Sequence, residues 1–207
     1  MSTTKKKILD ASRKLFNQKG LSAVSQRTIA THLKISPGNL TYHFKKRSGI
    51  IEDLYFELVE KIDHAFLNVE MGKGLLFGLY QLNHKSMENL FEYRFMMLDF
   101  IQVMREFPTI KKHYLKLMTQ REDQMQMFFQ MLIQSGLMRK EEIKNEYQNL
   151  IRRMMILGDF WLASAEINRE KMDKKQVGKY LEITIQVIYP YLTTKGKKEY
   201  RKVEENS

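Results

Sequence analysis

The sequence predicts an all-α fold in two domains, and three observations carry that reading. Only three Pro and ten Gly interrupt 207 residues, so the strongest helix breakers are scarce. Apolar residues recur three and four apart along most of the chain, which places them on one face of a helix, and long alternating β-branched runs are absent. The length accommodates one small unit and one larger helical domain with its own core. The expected division is 1–47 for the small unit, 48–193 for the larger domain and 194–207 for a polar, loosely ordered tail.

Element by element, the N-terminal unit starts with a helix through ILDASRKLFNQKG. Residues 21–47, LSAVSQRTIATHLKISPGNLTYHFKKR, then read as two short helices joined by a tight turn. Ser25 can cap the first of them, and its apolar face is Ile29, Ala30 and Leu33. Lys34 and Ile35 turn the chain. The second has Ser36 as cap and Pro37 at its first position, where a missing amide costs nothing. Leu40 and Phe44 form its buried edge, and Gly38, Thr41 and Tyr42, flanked by Asn39 and His43, form the opposite one. That exposed face carries small, hydrogen-bonding groups of a size that fits a DNA major groove.

Charge points the same way. Residues 1–50 hold eight Lys and three Arg against one acid, Asp10, a balance of +10, while the whole chain is +11. The excess is confined to the segment with the two short helices, which is the electrostatic footprint of a polyanion partner.

The run from Lys5 to about Leu58 resembles the N-terminal domain of TetR (tetracycline repressor-like) transcriptional regulators. The first helix, the helix-turn-helix, the TYHF ending and the basic entry into a fourth helix carry the likeness. It implies a three-helix DNA-binding domain joined by a fourth helix to a larger helical ligand-binding and dimerisation domain. It also places Arg27, Pro37, Gly38, Asn39, Thr41, Tyr42 and His43 at the major groove or its edges, with Ser36 at the start of that helix. Ser25, Gln26, Lys45, Lys46 and Arg47 are expected at phosphates. Thr41 departs from the more frequent aromatic or basic residue of the family pattern.

Beyond residue 47 the periodicity predicts helices over about 47–70, 75–90, 91–107, 108–136, 141–167 and 174–192, with a polar turn, NREKMD, between the last two. Met and aromatic side chains crowd the middle helices. Flexible methionines can line an adaptable apolar pocket, and they equally fill a helical core. The effector-pocket candidates are Tyr80, His84, Met87, Phe95, Phe100, Met104, His113, Tyr114, Leu117, Arg121, Met125 and Phe128, with the polar members as anchors. The last two helices pair apolar stripes with small residues, so Tyr147, Ile151, Met154, Gly158, Trp161, Ile183, Thr184, Val187 and Tyr191 are the expected seam of a homodimer. A short recognition helix offers few contacts, so two units are needed to reach successive major grooves of double-stranded DNA.

Other function classes find little support. There is no HExxH, no glycine-rich phosphate loop after a strand and no cysteine, and no two of the five histidines lie three or four apart, so neither catalysis, metal nor cofactor is expected. Zero cysteines are compatible with a reducing cytoplasm. No apolar leader or stretch of about 18 uncharged apolar residues marks a membrane segment. The expectation is a cytoplasmic, dimeric regulator, and the resemblance implies a repressor released from a palindromic operator by a small effector, which the composition of the middle helices makes apolar. The alternative is a DNA-binding regulator without an effector, acting constitutively or through a protein partner.

Overall fold

The computed structural model describes residues 3–168 and 173–205. Among them lie α1 (Thr3–Lys19), α2 (Gln26–Leu33), α3 (Pro37–His43), α4 (Arg47–Leu67), α5 (Leu75–Glu92), α6 (Arg94–Leu98), α7 (Phe100–Glu106), α8 (Pro108–Gln134), α9 (Glu146–Ile167), α10 (Lys174–Gln186) and α11 (Thr194–Glu205). No strand occurs among the described residues beyond one isolated bridge, Met138 with Leu192. The fold is all-α, as the apolar spacing predicts. The NREKMD turn lies mostly outside the described residues.

The chain forms two compact units that do not follow a boundary at residue 47. One comprises residues 1–61 with 89–114, and the other 62–88 with 115–207. In the first, Ile8, Phe16, Leu21, Ile29, Leu40 and Ile50 build a buried core to which the later segment adds Phe95, Met96 and Val103. The Phe16 and Phe95 rings lie 5.0 Å apart. Polar contacts reinforce this joint. The Leu21 amide donates to Asp99 Oδ2 at 2.8 Å, and the Asn17 amide donates to the Glu92 carbonyl at 2.8 Å. Arg13 pairs with Glu92, which also receives Lys61 at 2.8 Å.

The helix expected over 91–107 is two helices, α6 and α7, and these contacts explain why it is set off from α5 at Tyr93. The Phe95 amide donates to Asn17 Oδ1 at 3.0 Å, so α1 takes a hydrogen bond that a continuous helix would make internally. Neither partner is local, and periodicity could not report the break.

In the second unit, α8 ends where Gly136 adopts a left-handed φ of 73° and Leu137 N–H returns to the Leu132 carbonyl at 2.9 Å. The following helix begins at 146, not 141. Glu146 is held by Arg139 through two bonds of 2.7 and 2.8 Å and accepts the Glu142 amide at 2.9 Å. With Asn145 in the left-handed region, residues 139–145 are committed to a loop. At the other end, α10 stops at Gln186 rather than 192, and Pro190 sits in a 3-10 turn over Tyr189–Tyr191. Residues 194–205 are helical where a loose tail was expected. Gly196, Tyr200 and Val203, spaced four and three apart, form a buried face within a sequence whose mean polarity hides it.

The Arg139 bonds hold the Glu146 carboxyl at about 2, below its ordinary 4.5. A carboxyl lowered in the fold stabilises above its unfolded value, and that contribution is lost as pH falls through the folded one. The pair therefore contributes fully above about pH 4.5 and fades towards pH 2. Glu146→Gln is expected to flatten the acid limb of thermal stability over that window. Parallel limbs for both proteins in melts from pH 2 to 7 would refute the assignment.

Candidate nucleic-acid interface

Local chemistry builds the helix-turn-helix. Ser25 Oγ accepts the Thr28 amide at 3.1 Å, and Thr28 Oγ1 accepts the Ser25 amide at 3.4 Å, which satisfies two free donors reciprocally. Lys34 closes α2 in the left-handed conformation, φ 55°. Ser36 Oγ caps α3 through the Asn39 amide at 3.1 Å, with Pro37 in the first turn. Leu40 and Phe44 are buried, and the opposite surface is exposed, with Tyr42 84% accessible. Ser36, Pro37, Gly38, Asn39 and Thr41 are exposed beside it, and His43 is half-buried with its ring edge-on to Tyr42 at 5.1 Å. Arg27, Lys45 and Lys46 are exposed cations of the same helix-turn-helix, and Ser25 is an exposed cap.

Two residues expected at phosphates are engaged within the unit. The Gln26 amide Nε2 donates to the Phe44 carbonyl at 2.8 Å, tying the start of α2 to the end of α3. Arg47 turns inward: its guanidinium donates to the Leu21 carbonyl and lies 5.6 Å from the centre of the Phe16 ring. Burial pulls its pKa below the ordinary arginine value, against the opposing pull of Glu106 and Asp99. The basic spelling KKR does not distinguish a cation facing solvent from one folded under the helix. A further cation, Lys5, was missed: with His43, Lys45 and Lys46 it lines an open groove of about 400 Å³ at the α3–α4 corner. Its only sequence signal was the KKK run in α1.

Two family models match. Residues 8–54 match that of the "Bacterial regulatory proteins, tetR family", and residues 64–200 match one described as "Bacterial transcriptional repressor", TetR. The chain belongs to the TetR family. It is thus a DNA-binding transcriptional regulator and not an enzyme.

Among its relatives, the probable HTH-type transcriptional regulator YttP of Bacillus subtilis (strain 168) is 33% identical over 109 residues, 47% of this chain. That match spans about half, 52%, of YttP. A TetR-family regulator from Marinobacter aquaeolei VT8 has the same fold at a TM-score of 0.86, with 23% identity over 99% of this chain and 98% of that one. The SmeT–triclosan complex is also similar, at a TM-score of 0.59 and 16% identity over 93% of each chain.

In this TetR-family chain the effector candidates fall into both compact units. In the first, Phe95 is buried against Phe16, and the Phe100 and Tyr114 rings meet edge-on at 5.1 Å. Met104 is half-buried there. His113 Nδ1 lies 3.0 Å from the Tyr55 hydroxyl, and its ring is edge-on to Phe56. In the second, the Tyr80 and His84 rings are 6.0 Å apart and Met87 is buried. Arg121 pairs with Asp63 and covers the Phe66 ring at 4.0 Å, while Leu117, Met125 and Phe128 are half-buried. His113 and Arg121 thus already have polar partners within the protein.

Tyr147, Ile151, Met154, Trp161 and Thr184 are buried within the chain itself. Trp161 packs on Tyr180 at 5.3 Å, and Tyr147 on Phe129 at 5.7 Å. Gly158, Val187 and Tyr191 are half-buried. The exposed apolar side chains of these two helices are Ile156, Phe160, Ile167 and Ile183. Among the described residues no helix is long and apolar enough to cross a membrane.

Proposed function

We propose that the protein is a repressor that sits as a homodimer on a palindromic operator and leaves it when an apolar small molecule binds among the helices spanning residues 75–135. One observation carries the effector half of this reading: residues 89–114, source of five of the twelve candidate pocket residues, share a compact unit with the helix-turn-helix. Asp99 holds the Leu21 amide just ahead of α2, and Phe95 packs on Phe16 of α1. A ligand that prefers one arrangement of 89–114 therefore has a physical route to the DNA-binding unit, and it can shift binding only by that preference. The likeness to SmeT, seen in complex with triclosan, agrees with a small-molecule effector. A dimer seam through Ile156, Phe160 and Ile183 would bury the apolar side chains that α9 and α10 leave exposed.

A second reading, regulation without an effector, is favoured by the engagement of His113 with Tyr55 and of Arg121 with Asp63. Sequencing the duplexes that the protein retains, then titrating apolar compounds into the complex, separates the two. An inverted repeat released by such compounds supports the proposal. Retention of a single half-site ends the dimeric operator, and release by polyanions alone ends the apolar effector.

Lys46 and Asn39 divide the labour at the DNA. Phosphate contacts supply affinity for any sequence, and base contacts supply discrimination. Lys46→Ala is expected to weaken binding to operator and random duplex alike and to reduce the salt slope by about one, whereas Asn39→Ala should cost about 1–3 kcal/mol mainly on the operator. Equal losses on both duplexes for both variants, measured by fluorescence anisotropy over a salt series, would sink this assignment.

A further inference from the structure

The groove at the α3–α4 corner holds an arrangement that the DNA-contact set leaves unexplained. Lys5, in the first turns of α1, reaches across to Asp53 in the second turn of α4, with Nζ 2.7 Å from Oδ2. The ammonium also lies 5.1 Å from the centre of the Phe44 ring, which is itself buried and therefore fixed. His43, Lys45 and Lys46 line the same groove, as do Glu52, Ser48 and Gly49. A polyanion seated on Lys45 and Lys46 would thus find a third cation beside them, already matched to a carboxylate.

We propose that Asp53 is a built-in counter-charge on the DNA-binding face: by holding Lys5, it keeps that cation out of the phosphate contacts and lowers affinity for every DNA sequence alike. The inference rests on the reading that Lys45 and Lys46 meet the DNA backbone.

The physical argument is one of counterions. DNA affinity in this class of interface comes largely from the salt ions released when a cation replaces them at a phosphate. A lysine neutralised by its own carboxylate contributes little to that release, and the carboxylate repels the approaching backbone. The pair has little value as a staple. Both side chains are 36% exposed, and ion pairs in such settings contribute little to stability because water screens them. Its consequence therefore falls on binding: Asp53 sets the general level of DNA affinity and leaves the choice of sequence to α3.

Asp53→Asn, Lys5→Gln and the double variant, each titrated against a random-sequence duplex of fixed length, test this. Asp53→Asn is expected to bind more tightly than the parent at low salt, with a salt slope steeper by about one, so that between about 50 and 200 mM salt it loses roughly threefold more affinity than the parent does. Lys5→Gln alone should leave the salt slope unchanged while weakening binding, because Asp53 then faces the backbone without its cation, and the double variant should return to the parental slope. An unchanged slope in Asp53→Asn overturns the proposal. So does an equal gain from Asp53→Asn in the Lys5→Gln background, because the effect would then be a general removal of charge and not the release of Lys5. Failure of the underlying reading has a different signature: Lys46→Ala would leave the salt slope of the parent intact.

Discussion

Phe95→Ala is expected to lower the unfolding free energy by about 3–5 kcal/mol, the range for deleting a buried aromatic ring. Phe95 is 1% exposed and stacks on Phe16, itself fully buried in α1. Its backbone amide is committed to Asn17, so the segment cannot shift freely to refill the space. The cavity would open at the joint between 89–99 and α1, and the Leu21–Asp99 bond ahead of α2 would lose its support. DNA binding should fall with stability. Chemical denaturation of the parent, Phe95→Ala and Phe95→Leu decides the matter: Leu should retain most of the stability, and an Ala variant within about 1 kcal/mol of the parent would mean that Phe95 does not sustain this joint. If Phe95 instead served an effector, Phe95→Leu would alter the response to that compound at unchanged stability.

Gly196→Ala is expected to destabilise where helical Gly→Ala ordinarily stabilises by about 0.5–1 kcal/mol. A Cβ at this position would collide with the Leu137 carbonyl oxygen and stand 3.0 Å from its carbon. The obstacle is backbone, held in place by the Thr193 amide at 3.0 Å, and it cannot swing aside as a side-chain tip would. Either α11 lifts or the 136–138 turn distorts. Lifting would withdraw Tyr200 and Val203 from the core and Glu199 from the Leu76 amide. A loss of about 3 kcal/mol, at the upper end of overpacking costs, is the expected size. Limited trypsin digestion should then cut at Lys197, Lys198 and Arg201 in the variant well before the parent. Equal or greater stability for Gly196→Ala would show that the helix tolerates the contact.

What could be read from the sequence alone is what local chemistry determines. Ser25 with Thr28, and Ser36 with Pro37, act within one helical turn, so the limits of α2 and α3 were legible from a few adjacent residues. The four-residue spacing of Leu40 and Phe44 named the buried edge of α3 and thereby its exposed face. The concentration of positive charge in residues 1–50 needs no coordinates at all.

The tertiary structure decided everything whose partner lies far along the chain. The break between α5 and α6 depends on Asn17, 78 residues away from Phe95, and periodicity carries no record of such a bond. Arg47 and Lys46 are neighbours of like charge, yet Arg47 is drawn under the helix by the Leu21 carbonyl and the Phe16 ring, while Lys46 stays exposed. The apolar stripe of α9 shows the same limit. A helical period says that a face must be covered, and it is silent on whether the chain's own helices or a second copy covers it. Packing with α8 and α10 buries Tyr147 and Trp161 and leaves Ile156 and Phe160 exposed, because a helix within one chain can hide only the side that its neighbours reach.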